Sequence, residues 1–129
     1  MKNQKLTIQI NRPVAEVFAF TVNPENTPRW TDFAYEETNV WPIKIGAVYK
    51  NRTKPSSPWS KYTLTRFIKN KSFTMTKNGS PYHVRYRFKP DTEGSTLLEY
   101  YEWVDKGELD EPFTLKTLRK LKSVIESKP

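Results

Sequence analysis

The run Tyr82-His83-Val84-Arg85-Tyr86-Arg87-Phe88-Lys89 alternates large apolar side chains with basic or polar ones over eight residues. A period of two marks a β-strand that buries one face and wets the other. Tyr82, Val84, Tyr86 and Phe88 therefore point toward a core, and His83, Arg85, Arg87 and Lys89 toward water. A slip of one residue would exchange the two sets completely, so this strand has a strongly specified register.

Working outward, turn residues divide the chain from Phe33 to Asp105 into six short strands. They fall at Trp41-Pro42 through Gly46, Lys54 to Pro58, Asn70-Lys71, Asn78 to Pro81 and Pro90 to Gly94. Short connections between consecutive strands imply an antiparallel meander. All four glycines fall in these turns or just before the last segment, which leaves none for a phosphate-binding loop. Upstream, Lys5 to Asn11 repeats the alternation, with Leu6, Ile8 and Ile10 on one side. Pro13 suits a first helical turn, and Val14, Val17, Phe18 and Thr21 follow at helical spacing. The Pro-rich stretch Pro24 to Trp30 reads as one further turn carrying a large apolar side chain. At the other end, Asp110 to Ser127 is predicted as a helix of about 16 to 18 residues, on the order of 25 Å long. Leu115, Leu118, Leu121 and Ile125 form its apolar stripe, with Lys116, Arg119, Lys120 and Ser123 opposite. Asp110 and Glu111 suit its positive end, and Lys122 and Lys128 its negative end.

The fold class that follows is α+β. A seven-stranded curved antiparallel sheet wraps around the long C-terminal helix, with two short helices between strands one and two. The sheet's apolar face needs a cover, and only the last helix is large enough to supply it. Residues 1–129 are expected to form a single domain.

Composition narrows the function. The chain has 22 Lys and Arg against 14 Asp and Glu, a net charge of +8. That charge attracts anions, but the basic residues are dispersed and no nucleic-acid motif accompanies them, so nucleic-acid binding is not expected. The absence of cysteine removes disulfides, thiolate nucleophiles and Cys-type zinc sites. No apolar run approaches the roughly 20 residues of a membrane span, and Met1 to Lys5 lacks a signal-peptide core, so a cytoplasmic location is expected. The single His83 faces outward beside Arg85, which argues against a histidine metal cluster or general base. Ser56-Ser57 and Ser60 have no catalytic His partner, and Glu36-Glu37 alternate across a strand rather than facing one another. No metal or cofactor is expected.

Several stretches together resemble one family. They are Ile8 to Phe20 (Ile-Gln-Ile-Asn-Arg-Pro-Val-Ala-Glu-Val-Phe-Ala-Phe), Asn23-Pro24-Glu25-Asn26, Pro28-Arg29-Trp30, Pro42 to Tyr49, Tyr86-Arg87-Phe88-Lys89-Pro90 and Gly94-Ser95-Thr96-Leu97-Leu98. Their order and spacing resemble the START-like polyketide cyclase/dehydrase and lipid-transport family of the SRPBCC superfamily, relatives of the birch-pollen allergen with a helix-grip fold. The likeness covers nearly the whole chain. Such folds host unrelated functions, so the motifs imply a fold more than a ligand.

Both lines lead to a cavity between the curved sheet and the C-terminal helix that holds a small hydrophobic or amphipathic molecule. Carrying the inward face of Tyr82 to Phe88 to its neighbours by the period of two gives the candidate lining. It comprises Tyr62, Leu64, Arg66, Phe73, Met75, Val84, Tyr86, Phe88, Leu98 and Tyr100, with Leu118 and Leu121 from the helix; Trp30, from the turn after the short helix, either gates the cavity mouth or seals that helix to the sheet. Arg66 and Glu102, both on the inward side in this register, read either structurally, as an ion pair or as rim positions open to water, or as a catalytic pair. In the second case Arg66 holds an anion and Glu102 acts as base in a metal-independent cyclase or dehydratase. A third reading follows from relatives that activate a heat-shock ATPase. It makes the chain a protein-interaction module that uses the basic helix face or outward Leu97, Tyr101 and Trp103.

Overall fold

The computed structural model describes residues 1–31, 36–39, 42–92, 94–110 and 112–127, with the strand backbone alone over 36–39. Strand β1 (Asn3–Ile10) leads into helix α1 (Val14–Val22) and a short 3-10 helix (Pro24–Arg29). Strands β2 (Glu36–Asn39), β3 (Val48–Arg52), β4 (Ser60–Ile68), β5 (Ser72–Lys77), β6 (Tyr82–Pro90) and β7 (Thr96–Val104) follow, and then helix α2 (Leu115–Glu126). The predicted strand start at Phe33, and Trp41, Glu111 and Lys128, lie outside the described residues.

All strand pairs are antiparallel, and the sheet order is β1-β7-β6-β5-β4-β3-β2. The curved body consists of β1 and β3 to β7, while β2 adds a four-residue ribbon along the β3 edge. The first strand thus lies beside the last, with Ile8 opposite Leu98 and Leu6 opposite Tyr100. On β6 the alternation holds: Val84, Tyr86 and Phe88 are buried, and Arg87 and Lys89 are exposed. Thr96, Leu98, Tyr100 and Glu102 of β7 are buried on that same side. Each glycine in the chain adopts positive φ, as does Asn70 (φ 61°) in the tight β4–β5 turn, where a short polar side chain tolerates the left-handed region.

Two expectations fail here. Helix α2 has 12 residues and begins at Leu115, not at Asp110. Pro112 lacks an N–H, and both backbone groups of Phe113 are already engaged. Its N–H donates to Glu102 Oε2 (3.0 Å) and its carbonyl accepts from Gln4 Nε2 (2.6 Å), so this segment stays out of the helix. Asp110 consequently stands clear of the helix, whose first turn carries no acidic side chain and whose last turn carries no basic one. The cation at the C-terminal end comes from the β1–α1 corner instead: Arg12 Nη2 donates to the Glu126 carbonyl (2.7 Å).

The second failure is at Arg66. Leu64 pairs with Met75, but Arg66 pairs with Thr74, so Thr65 is an extra residue in β4. This bulge reverses the alternation downstream. Phe67, opposite Phe73, turns to the core, and Arg66 is exposed on the outer face.

The core is continuous. Phe18 of α1 meets Phe67, Phe73 and Phe88 edge-on at 5.2–5.9 Å, and Leu118, Leu121 and Ile125 of α2 are fully buried. Burying each such Leu or Ile is worth roughly 1.5–3 kcal/mol. Among the described residues, no helix is long and apolar enough to cross a membrane.

Candidate functional site

The hollow of the sheet is not filled throughout. Where α1 and the 3-10 helix cross above β3 to β7, a chamber remains, lined by Thr21, Thr27, Trp30, Thr31, Tyr49, Asn51, Tyr62, Phe73, Met75, Tyr82, Val84, Tyr86, Tyr100 and Phe113. Its volume is about 100 Å³, enough for several water molecules. A wider vestibule of about 460 Å³ adjoins it and shares Asn51, Tyr62, Tyr82 and Phe113. The vestibule adds Thr53, Ser60, Lys77, Ser80, Lys106, Glu108 and Asp110, so the walls pass from aromatic inside to polar and charged outside.

Of the residues expected from sequence, Trp30, Tyr62, Phe73, Met75, Val84, Tyr86 and Tyr100 line this chamber. Leu64, Phe88, Leu98, Leu118 and Leu121 do not, and are packed into the core. The expected position of the cavity is corrected with them. It lies beyond the start of α2, beneath α1 and the 3-10 helix, because the Leu side chains of α2 close the part of the hollow they cover. Arg66 lines a shallow groove on the opposite face with Lys71, Arg85, Arg87, Lys89 and Trp103. The Arg66–Glu102 pair therefore does not exist.

Glu102 is 1% exposed, and three neutral donors hold it. Tyr82 Oη donates to Oε1 (2.8 Å); Gln4 Nε2 (2.5 Å) and the Phe113 N–H (3.0 Å) donate to Oε2. The Tyr100 hydroxyl stands 3.3 Å from that of Tyr82. Burial, reinforced by the nearby Glu102 charge, pushes the Tyr82 hydroxyl far above the usual phenol range. Burial does the same to Tyr100, with the neighbouring Tyr82 and Tyr86 adding to it. At neutral pH these groups are neutral hydrogen-bonding walls.

The aromatic lining is ordered by contacts between rings. Phe113 stacks on Tyr100 (4.7 Å, 3° between planes) and meets Trp30 edge-on (5.9 Å, 86°). Phe73 stacks on Tyr86 (4.6 Å), and Tyr86 meets Tyr100 edge-on (5.2 Å). Tyr49 is anchored by its hydroxyl, which donates to the Val22 carbonyl (2.6 Å), and so ties β3 to the end of α1.

The sequence reading missed Thr21, Thr27, Thr31, Tyr49, Asn51 and Phe113. Tyr49 and Asn51 share the period of two within β3, which was a usable signal. The other four come from helix or irregular backbone, where no strand periodicity reports direction. His83 lies outward as expected. Its ring stacks on Trp103 (4.8 Å) and is fixed by Thr76 Oγ1 (2.8 Å) and Asp105 Oδ2 (2.7 Å). Trp103 also stacks on Tyr101 (5.3 Å), so two of the outward residues proposed for protein contact are engaged with their neighbours, while Leu97 is 37% exposed. Among the described residues no group of three or more His, Cys, Asp or Glu could hold a metal ion.

Comparison with known proteins places these observations. The family described as polyketide cyclase / dehydrase and lipid transport matches residues 1–126. Among curated proteins, none matches the chain in sequence. Among solved structures, the fold is similar to that of the protein XoxI from Bacillus cereus (TM-score 0.73, 16% identity, 98% of this chain and 97% of that one). It is similar also to a START superfamily protein from Mycobacterium smegmatis (TM-score 0.73, 14% identity, 98% of each chain). CalU16 from Micromonospora echinospora matches with a TM-score of 0.66 and 16% identity over 97% of this chain and 76% of that one. At these identities the likeness is one of fold.

Proposed function

The chain belongs to the polyketide cyclase / dehydrase and lipid transport family, and on that premise we propose that it binds a small, ring-bearing, largely apolar molecule in the chamber beneath α1. The observation that carries this reading is the chamber itself, walled by aromatic rings and continuous with a polar vestibule. Apolar pockets with a few fixed polar groups are the usual form of a small-molecule site. A ligand entering through the vestibule would bury its rings against Tyr62, Phe73, Tyr86 and Tyr100 and leave a polar end near Lys77 and Lys106. Binding or carriage fits this arrangement better than catalysis. The cyclase reading needed Arg66 beside Glu102, and Arg66 is on the other face; Glu102 is held by Gln4, Tyr82 and Phe113 and is not among the residues lining the chamber.

Titration of the purified protein with tetralin, followed by heteronuclear NMR, tests the proposal. Saturable shifts confined to residues such as Met75, Val84 and Tyr100 are the expected result. Shifts scattered over the surface, or none at millimolar probe, would overturn it.

A further inference from the structure

The outer face of the sheet collects charge that the linear sequence disperses. The 22 Lys and Arg are spread along the chain, yet folding gathers five of them, Arg66, Lys71, Arg85, Arg87 and Lys89, along one groove of about 800 Å³. Among the described residues, no acidic side chain lines it. The bulge at Thr65 brings Arg66 there, since uninterrupted alternation would have turned it toward the core.

The groove follows the register of β4, β5 and β6. Thr74 of β5 lies between Arg66 and Arg85, and Ser72 lies between Ile68 and Arg87. Ser72 and Thr74 are short and buried, so they form a floor between two taller rows of side chains. The rows stand roughly 10 Å apart, twice the spacing of neighbouring strands, and Arg85, Arg87 and Lys89 succeed one another about every 7 Å along β6. Most of this charge is uncompensated. Glu99 is shared by Arg85 (3.3 Å) and Arg87 (3.7 Å), while Arg66, Lys71 and Lys89 are exposed and have no acidic partner among the described residues. One exposed ion pair contributes little by itself, so such a surface favours an anion that carries several charges in a row.

The geometry separates the classes of polyanion. A lipid surface meets protruding side chains and leaves a recessed floor such as Ser72 and Thr74 unused. A single-stranded nucleic acid binds by stacking its bases on open rings. The rings of this face are stacked on one another instead, Trp103 on Tyr101 and on His83, with the Arg85 guanidinium over Tyr101 at 5.1 Å. An extended acidic segment of a protein matches both parts of the groove. Its carboxylates at every second residue share the repeat of the β6 cations, and the exposed Ile68 offers an apolar contact to a side chain among them. We propose that this groove is a docking surface for an acidic segment of a partner protein, laid extended along β5 with its carboxylates on Arg66, Arg87 and Lys89. The surface is independent of the chamber, which lies on the other face of the sheet.

Fluorescence anisotropy with a labelled peptide of sequence Glu-Val-Glu-Ser-Glu-Val-Glu tests this. The native protein should bind the peptide saturably, and more tightly than a labelled oligothymidylate of equal charge. Arg66→Glu/Lys89→Glu should weaken peptide binding about tenfold or more, since carboxylates then face carboxylates. It should keep the native urea midpoint, because neither side chain has an acidic partner to lose. Lys116→Glu/Arg119→Glu makes the same change of net charge on the exposed face of α2 and should leave the affinity nearly unchanged. Without any variant, peptide-induced amide shifts in the native protein should centre on Ser72, Thr74 and Arg87. Equal weakening by the two double variants, or shifts centred on α2, would reduce the effect to net charge and overturn the proposal. So would oligothymidylate binding as tightly as the peptide, co-sedimentation with phosphatidylserine vesicles but no peptide binding, or no peptide binding at low salt.

Discussion

Glu102 illustrates how a side chain readable from sequence acquires a different role in the fold. Its place on the inward face follows from the alternation of Thr96, Leu98 and Tyr100, and it is indeed buried. Its partner was misjudged, because sequence spacing has no way to show that Gln4 of the neighbouring strand and the Phe113 amide converge on it. The three bonds tie β1, β6 and the start of the α2 connection to β7. In Glu102→Gln, one oxygen acceptor is replaced by an amide that faces existing donors. A loss of about 1–3 kcal/mol is expected, read as a lowered urea midpoint. The tyrosines beside it give a pH signature. Burial raises the folded-state ionisation of Tyr82 and Tyr100 above the ordinary phenol value of 10.0, so the folded chain holds these protons more tightly than the unfolded one. The stability they contribute is complete below pH 10 and declines as pH rises above it. In an alkaline absorbance titration, two of the seven tyrosines should ionise only as the chain unfolds.

The elements that the sequence announced are those with an uninterrupted period. Strand β6, with Tyr82, Val84, Tyr86 and Phe88, needed no tertiary information, and neither did the Leu118–Leu121–Ile125 stripe of α2. The bulge at Thr65 was not legible. Nothing in Leu64-Thr65-Arg66 departs from ordinary alternation, and the extra residue becomes apparent only when β4 is laid against β5. Arg66 went to the wrong face for that reason alone. The early part of the predicted α2 failed similarly, since Pro112 hints at a break but only the engagement of Phe113 enforces it. The far end of α2 carries its own test. Glu126 Oε2 accepts from the Asn11 N–H (2.7 Å) and Lys122 Nζ (2.6 Å). Partial burial raises the Glu126 carboxyl's affinity for a proton, but the Asn11 bond and the Lys122 and Arg12 charges outweigh it and hold the group below its ordinary value of 4.5. A depressed carboxylate stabilises the fold above the unfolded value, and that contribution disappears as pH falls through the folded one. Glu126→Gln should therefore flatten the loss of stability below about pH 4.5, and the effect should be modest because the pair is partly exposed. Leu121→Ala, by contrast, removes fully buried volume from the same helix and should cost about 2–5 kcal/mol at any pH, read by urea unfolding.

At the scale of the whole molecule, the sheet serves two covers. Helix α2 packs down on β1 and the sheet with its Leu and Ile side chains and leaves little space, whereas α1 and the 3-10 helix stand over the chamber with Thr and Trp side chains between them. On the proposed function, the division separates stability from ligand binding, and a substitution can address one without the other. Met75 projects into the chamber from β5 and is only partly buried, so Met75→Trp should occupy free space with little disturbance of α2. The unliganded variant should unfold within about 1 kcal/mol of the native protein, since chamber filling and overpacking act in opposite senses. The native protein with tetralin at a hundred times its dissociation constant should gain about 2.7 kcal/mol by mass action, enough to raise the melting temperature by several degrees. Met75→Trp should lose that gain under the same conditions. A variant that retained it would place the ligand elsewhere, with the vestibule or the basic groove on the outer face as the surfaces to probe next.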